Sequence, residues 1–391
     1  MAGTAEVVII GGGVTGASIA FHLTERGVRD VVVVEKRFLA SGATGKSSAC
    51  IRQHYSTSET CRMVLESLRF FERFAERTRG GTASFVRVGY LLGVDDRLRA
   101  AMEKAVALQQ SVGIDVRLLT PTDIRAIEPR VRVDDFTAGC YEPDAGYADP
   151  SQTTQGFAAA ARAAGARVLE EAEVLGIATA GGRVRGVRTT RGEIHAPMVI
   201  DAAGLWSDRV ARMVDVDLPI TVCRHKISFF TRPPHAASPH PLVYDFVTNI
   251  YTRPETGGLT LVGPLESELH DRADPDRYQE GVTFEETADA MERAAHRFPV
   301  MEQGEVARGY AGCFDVTPDW HPILDAAGPA GFYVAAGFSG HGFKLSPAVG
   351  RMVAALVLDG KRPGDDVDAF RLSRFSEGRP IRGTYGDWLM G

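Results

Sequence analysis

Two rhythms of apolar and polar positions run through this chain. In the first stretch Val7-Val8-Ile9-Ile10 and Val31-Val32-Val33-Val34 are unbroken β-branched runs, the pattern of strands buried on both faces of a parallel sheet. Between them Ile19, Ala20 and Leu23 recur at helical spacing, and Gly27 is a fitting stop. Later apolar runs over 199–204 and 331–337 each end in Gly, and the first is expected to rejoin that sheet. Helical spacing also predicts helices over 59–77, 97–113, 121–127, 152–164, 284–297 and 346–359. For the last, Ser346 reads as the N-cap, Pro347 as the first helical residue and Gly360 as the C-terminal stop. A strand is predicted over 85–93, and a small three-strand meander over 168–177, 183–190 and 193–195.

The second rhythm occupies about 219–312. Strands over 227–231, 249–253 and 259–263 alternate between Pro, Gly and charged loops, which reads as a largely antiparallel sheet. The turn-rich segment 141–150 joins two domains in this reading, and the polar tail from Lys361 is expected to wrap the surface.

Composition narrows the class. Of 391 residues, 44% are hydrophobic and 24% charged, the balance of a globular chain with ample core. A net charge of -6 without a basic block argues against nucleic acid or an anionic membrane as partner. No apolar run approaches the roughly 18 residues of a membrane span. The first strand starts too early to leave room for a signal peptide. Cys50, Cys61, Cys140, Cys223 and Cys313 are scattered without a C-x-x-C pair, so neither a disulfide framework nor a zinc site is expected, and a cytoplasmic location is.

Chemistry enters at Gly11, Gly13 and Gly16, which form G-x-G-x-x-G between the first strand and helix. The first glycine permits the tight turn, the second lets backbone approach a pyrophosphate, and the third lets helix and strand pack closely. The helix N-terminus offers free N–H groups and a positive dipole end, and Glu35 closes the second strand where it can accept from a ribose diol. This predicts a dinucleotide site and leaves FAD and NAD both open. The loop 41–48 is rich in glycine and small hydroxyl residues, suited either to lie against a ring or phosphate or to be solvated. Gly45-Lys46-Ser47 looks like part of a P-loop, but the upstream glycine spacing is wrong.

Three separated segments coincide: the glycine turn, V-I-D-A-A-G-L-W-S at 199–207, and G-F-S-G-H-G-F-K-L-S-P at 337–347. Together they resemble the D-amino-acid-oxidase superfamily of flavoenzymes, and within it the sarcosine oxidase and N-methyl amino acid oxidase branch. The resemblance implies an α/β fold. A glutathione-reductase-like, Rossmann-type FAD-binding domain would be built from 1–84, 150–218 and 319–391. A mixed, largely antiparallel substrate-binding domain would take 85–149 and 219–318. FAD is then expected rather than NAD. Gly11, Gly13, Val14, Thr15, Gly16, Glu35 and Lys36 would hold its ADP half, with Val174 beside the adenine. Thr44, Ser47 and Ser48 would line the pyrophosphate and flavin, with Ala203, Gly204 and Trp206 near. Gly340, His341, Gly342, Phe343 and Lys344 would run along the isoalloxazine edge, and the helix from Ser346 would aim its positive end at the ring.

Arg52 and Lys344 match the family's pair for a substrate carboxylate, a planar fork and a point charge facing one anion. Tyr251 matches a tyrosine over the substrate. His341 is expected to be a structural hydrogen-bonding residue of its glycine-rich turn and not a proton shuttle, and His54 and His225 are candidates to face the pocket. Two positions depart from the pattern. The covalent-flavin cysteine falls on Gly312, next to Cys313, so noncovalent FAD is expected. The lysine that promotes oxygen reduction falls near Thr260, with His225 and Lys226 as possible substitutes. The implied reaction is oxidation of a secondary or N-methyl amine of an amino acid to an imine, with electrons passing to O2 to give hydrogen peroxide. Alternatives are a glycine or D-amino acid type of primary-amine oxidase, a dehydrogenase with another acceptor, and a flavin-binding subunit that needs partner chains. The substrate side chain and the oligomeric state stay open.

Overall fold

The computed structural model describes residues 3–265, 269, 271–360 and 366–385. Val7–Ile10 lies between Val31–Val34 and Met198–Asp201, all parallel and all sealed from water apart from the first residue of the last. Arg167–Leu169 and Phe332–Ala336 extend this sheet in parallel on either side, and Ile323–Ala326 closes one edge antiparallel, making six strands. Helix Val14–Glu25 packs against helices Pro150–Ala163 and Gly342–Asp359, so the glycine turn and the C-terminal helix are neighbours.

A second, eight-stranded sheet has one parallel pair, Leu242–Asp245 with Tyr90–Val94, and is otherwise antiparallel. Its longest strands, Thr221–Thr231 and Val306–Val316, pair along nearly their whole length. The period-2 alternation gives it two faces. Leu91, Phe230, Val243, Ile250 and Val262 pack on one face with Ala294 and Phe298 at the end of helix Phe284–Arg297. Tyr244, Tyr251 and His225 lie on the other. The mixed α/β class expected from the sequence is present.

Several predicted elements shift. The strand expected over 168–177 is two strands: Arg167–Leu169 joins the six-stranded sheet, and Val174–Ala180 starts the meander. The chain turns between them at Glu171, with φ of 55°, where the Glu171 and Ala172 N–H groups donate to Arg37 and Glu35 carbonyls. The helix expected over 59–77 breaks at Arg73 into Ser58–Glu72 and Phe74–Arg77. The strand expected over 85–93 divides into Val86–Arg87, in a small sheet with Cys50–Ile51 and Gly146–Tyr147, and Tyr90–Val94.

The C-terminal helix begins at Gly342, not Ser346, and its N-cap is His341. Positive φ at Ser339 and Gly340 closes the preceding turn early, so Gly342 to Leu345 already lie in the helix. Pro347 therefore sits inside it, and the Ser346 carbonyl accepts from Ser18 Oγ at 2.8 Å. The tail is not merely a polar wrap. Lys361 itself lies outside the described residues, but Arg374 is buried in an ion pair with Asp319 at 2.8 Å, and Tyr385 is buried.

Candidate active site

The glycine turn is made by close approach. A Cβ on Gly11, whose φ is +112°, would stand 2.3 Å from the Ala202 carbonyl oxygen. One on Gly16 would stand 2.0 Å from the Gly11 oxygen. Helix Val14–Glu25 follows with Gly13 as N-cap and no side-chain cap. Val14 N–H donates to Thr44 Oγ1 at 3.1 Å, and Thr15 and Gly16 are buried in the first turn. Glu35 Oε2 accepts from Gly12 N–H at 2.8 Å and Oε1 from Arg37 N–H at 2.9 Å, so its carboxylate is fixed at the mouth of the turn. Bare glycine backbone, a helix start whose N-cap residue has no side chain and an anchored acid fit the ADP half of FAD. Val174 packs against the cluster of Val8, Ile10, Val32 and Val34 beneath the turn.

On the rim, Lys36 Nζ lies 3.6 Å from the Trp206 ring centroid, and Lys36 and Trp206 Nε1 both donate to Asp276 Oδ1 at 2.9 Å. Asp276 is a residue the sequence did not point to, because nothing in its charged loop marks it. Ala203 N–H donates to Asp201, and Gly204 opens the short helical turn that carries Trp206.

Between the two sheets lies a cavity with about 830 Å³ of space free of protein atoms, its open mouth included. Ser47, Ser48, Arg52, Tyr251, Gly340, His341, Phe343 and Lys344 all line it, so residues nearly 300 positions apart meet there. Tyr244, Phe314 and Trp320 complete an aromatic wall. Tyr244 stands opposite Tyr251 in the pairing of Leu242–Asp245 with Ile250–Glu255, and the sequence did not point to it. Tyr251 Oη and His225 Nε2 are 3.0 Å apart, and the His225 ring stacks on Phe314 at 4.3 Å.

The two cations differ in how they are held. Arg52 is 3% exposed; its Nη1 donates to the His54 carbonyl, and its guanidinium carbon lies 4.6 Å from the Tyr55 ring centre and 5.3 Å from that of Tyr244. Its Nε is buried without a partner. Burial works against its charge, but Tyr55, Tyr244, Tyr90 and Glu142 around it raise its pKa overall. Lys344 is 6% exposed, and burial, then the nearby Arg52, push its pKa well below the ordinary lysine value. Among the described residues neither cation makes an ion pair.

Three expectations need correction. His54 does not face the cavity; its Nε2 meets Tyr385 Oη at 2.6 Å. His341 is hydrogen-bonded in its turn as expected: its backbone N–H donates to the Phe338 carbonyl, and its ring pairs with Tyr55 Oη at 2.9 Å. Thr260 lies on the face away from the cavity, bonded to Arg232 and His240, so it stands over no ligand. Arg253, which alternates with Tyr251 on the same strand face, does not line the cavity; it donates to the Ser48 carbonyl and pairs with Glu255. Lys226 is not among the lining residues, whereas His225 is. Gly312 pairs with His225, so the side chain of Cys313 projects from the opposite face.

Comparison with known proteins agrees with this geometry. Residues 6–356 match the family model described as DAO, FAD dependent oxidoreductase. The chain is 28% identical over 382 residues to sarcosine dehydrogenase, mitochondrial, of Homo sapiens, covering 95% of this chain and 41% of that protein. It is 26% identical over 388 residues to sarcosine oxidase subunit beta of Arthrobacter sp, covering 96% and 92%. L-proline dehydrogenase from P. horikoshii superposes with a TM-score of 0.89 at 29% identity, over 97% of this chain and 100% of that one. The chain spans less than half the length of the sarcosine and dimethylglycine dehydrogenases it matches. With the glycine cradle, the C-terminal turn and this match across most of its length, the chain belongs to the DAO family of FAD-dependent oxidoreductases.

Proposed function

We propose that the chain oxidises the secondary or N-methyl amine of a small carboxylate-bearing amino acid to an imine. One observation carries this reading: two buried cations, Arg52 and Lys344, line one cavity and have no carboxylate partner among the described residues. Buried charge without a counter-ion is costly, so an anionic ligand is the partner the site favours. Arg52 would take the carboxylate with its fork and Lys344 with its ammonium. Tyr251, held by His225, would orient the substrate. The walls of Tyr244, Phe314 and Trp320 would exclude water and keep the amine neutral, its lone pair free.

FAD, when bound, supplies the electron acceptor for the amine carbon. Its ADP half would lie on Gly11, Gly13, Val14, Thr15, Gly16, Glu35 and Lys36, with Val174 at the adenine. Thr44, Ser47, Ser48, Ala203, Gly204 and Trp206 would line the middle, and Gly340 to Lys344 the reacting edge. Binding would be noncovalent, since Cys313 points away from the cavity. The division into an FAD-binding part, 1–84, 150–218 and 319–391, and a substrate-binding part, 85–149 and 219–318, belongs to the same reading.

O2 is the proposed final acceptor, with hydrogen peroxide as product. A second reading, an acceptor other than O2, is favoured by the placement of Thr260 on the far face, which leaves no lysine but Lys344 among the lining residues. The test is an anaerobic screen of N-methyl, cyclic and primary amino acids for bleaching of the bound flavin. Bleaching by secondary amines supports the reading, and bleaching by primary amines alone overturns it. Admitting air then separates the acceptors: peroxide supports O2, and turnover with dye but no peroxide supports the second reading.

A further inference from the structure

Arg52 can serve as a carboxylate clamp only if its guanidinium stays where it is. Little holds it. Its Nε has no partner, and its one backbone tie is from Nη1 to the His54 carbonyl. The position of residue 54 therefore sets the aim of the arginine.

His54 is fully buried and held at both ring nitrogens. Gln109 Nε2 lies 3.1 Å from His54 Nδ1 and also donates to the Tyr55 carbonyl at 2.8 Å. A nitrogen that donates to a carbonyl is an amide NH2, so Nδ1 accepts and the tautomer carries its proton on Nε2. That N–H points to Tyr385 Oη at 2.6 Å. Burial, then Arg52, push the His54 pKa down to about 3, which keeps the ring neutral in this arrangement.

Tyr385 comes from the tail, beyond residue 356 where the family match stops. The tail is latched there more than once. Thr384 N–H donates to Ser56 Oγ at 3.1 Å, Thr384 Oγ1 donates to the Ala101 carbonyl at 3.2 Å, and the Tyr385 ring meets Phe246 edge-on at 5.5 Å. The tail thus closes over the segment that follows Arg52, on the side away from the cavity.

We propose that Tyr385 is a positioning residue for the carboxylate site, holding Arg52 on its target through His54. The proposal rests on the reading of Arg52 as a carboxylate ligand. It makes the C-terminal tail part of the binding machinery.

The test titrates the FAD-loaded protein with benzoate, a flat carboxylate suited to aromatic walls, and with the uncharged benzamide, following the flavin absorbance. In Tyr385→Phe the benzoate Kd should rise about fivefold, the worth of one neutral hydrogen bond, while the benzamide Kd holds. His54→Gln approaches the same link from the other side and should show the same selective loss. It also serves if Tyr385→Phe folds poorly. Equal weakening of both probes, or none, overturns the proposal. Arg52→Met is the control arm. If it leaves benzoate binding unchanged, the carboxylate reading itself fails; if it weakens benzoate and the other two variants do not, only the role of the tail falls.

Discussion

The two faces of the eight-stranded sheet each bury an arginine, and the two are treated in opposite ways. On the helix-covered face Arg297 is completely buried and matched on every side. Its Nε donates to Asp245 Oδ2 at 2.7 Å, and Nη1 and Nη2 fork onto Asp135 at 2.8 and 2.9 Å. Its guanidinium lies 3.6 Å above the Phe136 ring centroid. On the cavity face Arg52 is nearly as buried but has one carbonyl, two tyrosine rings and an idle Nε, with Glu142 near but not in an ion pair with it. A balanced buried charge belongs to the fold. An unbalanced one favours an anionic ligand, which is what the proposed carboxylate role of Arg52 requires.

The comparison breaks most plainly at Arg297. Arg297→Met would leave Asp245, which is fully buried, without its cation. Removing one partner of a buried pair costs about 3–5 kcal/mol. Urea unfolding at fixed FAD concentration should register that loss, while benzoate Kd of the folded fraction stays as in the parent. A variant as stable as the parent would show that Arg297 is no more structural than Arg52.

Arg52→Met should do the reverse. Without ligand its stability should equal or exceed that of the parent, since the substitution removes a buried charge that forms no ion pair among the described residues and whose nearby carboxylate, Glu142, has its own pKa pushed up to about 8 by burial. The KM for a carboxylate substrate should rise about 30-fold, or about 2 kcal/mol, with FAD affinity unchanged. A large fall in stability with little change in KM would move Arg52 to the structural side.

This contrast explains what the sequence could and could not reveal. The six-stranded sheet was legible because continuous β-branched runs such as Val31–Val34 have one reading, and the glycine turn because its glycines, flanking strands, helix and acid all fall within residues 7–36. Arg52, Lys344 and Tyr251 were found through the resemblance and do meet at one cavity. Tertiary partners were not legible. Tyr55 and His341 meet across 286 positions and His54 and Tyr385 across 331, and no spacing rule encodes such pairs. Ser346 misled because Ser-Pro is a strong start signal, yet the positive φ of Ser339 and Gly340 had already started the helix. Thr260 misled because period-2 alternation makes a one-residue error in alignment a change of face.

The smallest effect concerns Lys344, where the same imbalance should appear as a pH dependence. Burial and Arg52 hold its pKa well below the ordinary value in the free site. A bound carboxylate stabilises the ammonium and raises that pKa, so the complex holds more protons than the free protein between the two values. Raising the pH through that window must then weaken carboxylate binding, by at most about tenfold per pH unit for one proton. The other groups that face Lys344 do not mimic this. Arg52 stays charged, and the His341 pKa is driven far down by burial and by Lys344 itself. Benzoate Kd measured from pH 6 to 10 should climb in the parent and lie flat in Lys344→Met. A slope that survives in Lys344→Met would assign the proton to another group and leave the comparison resting on Arg52.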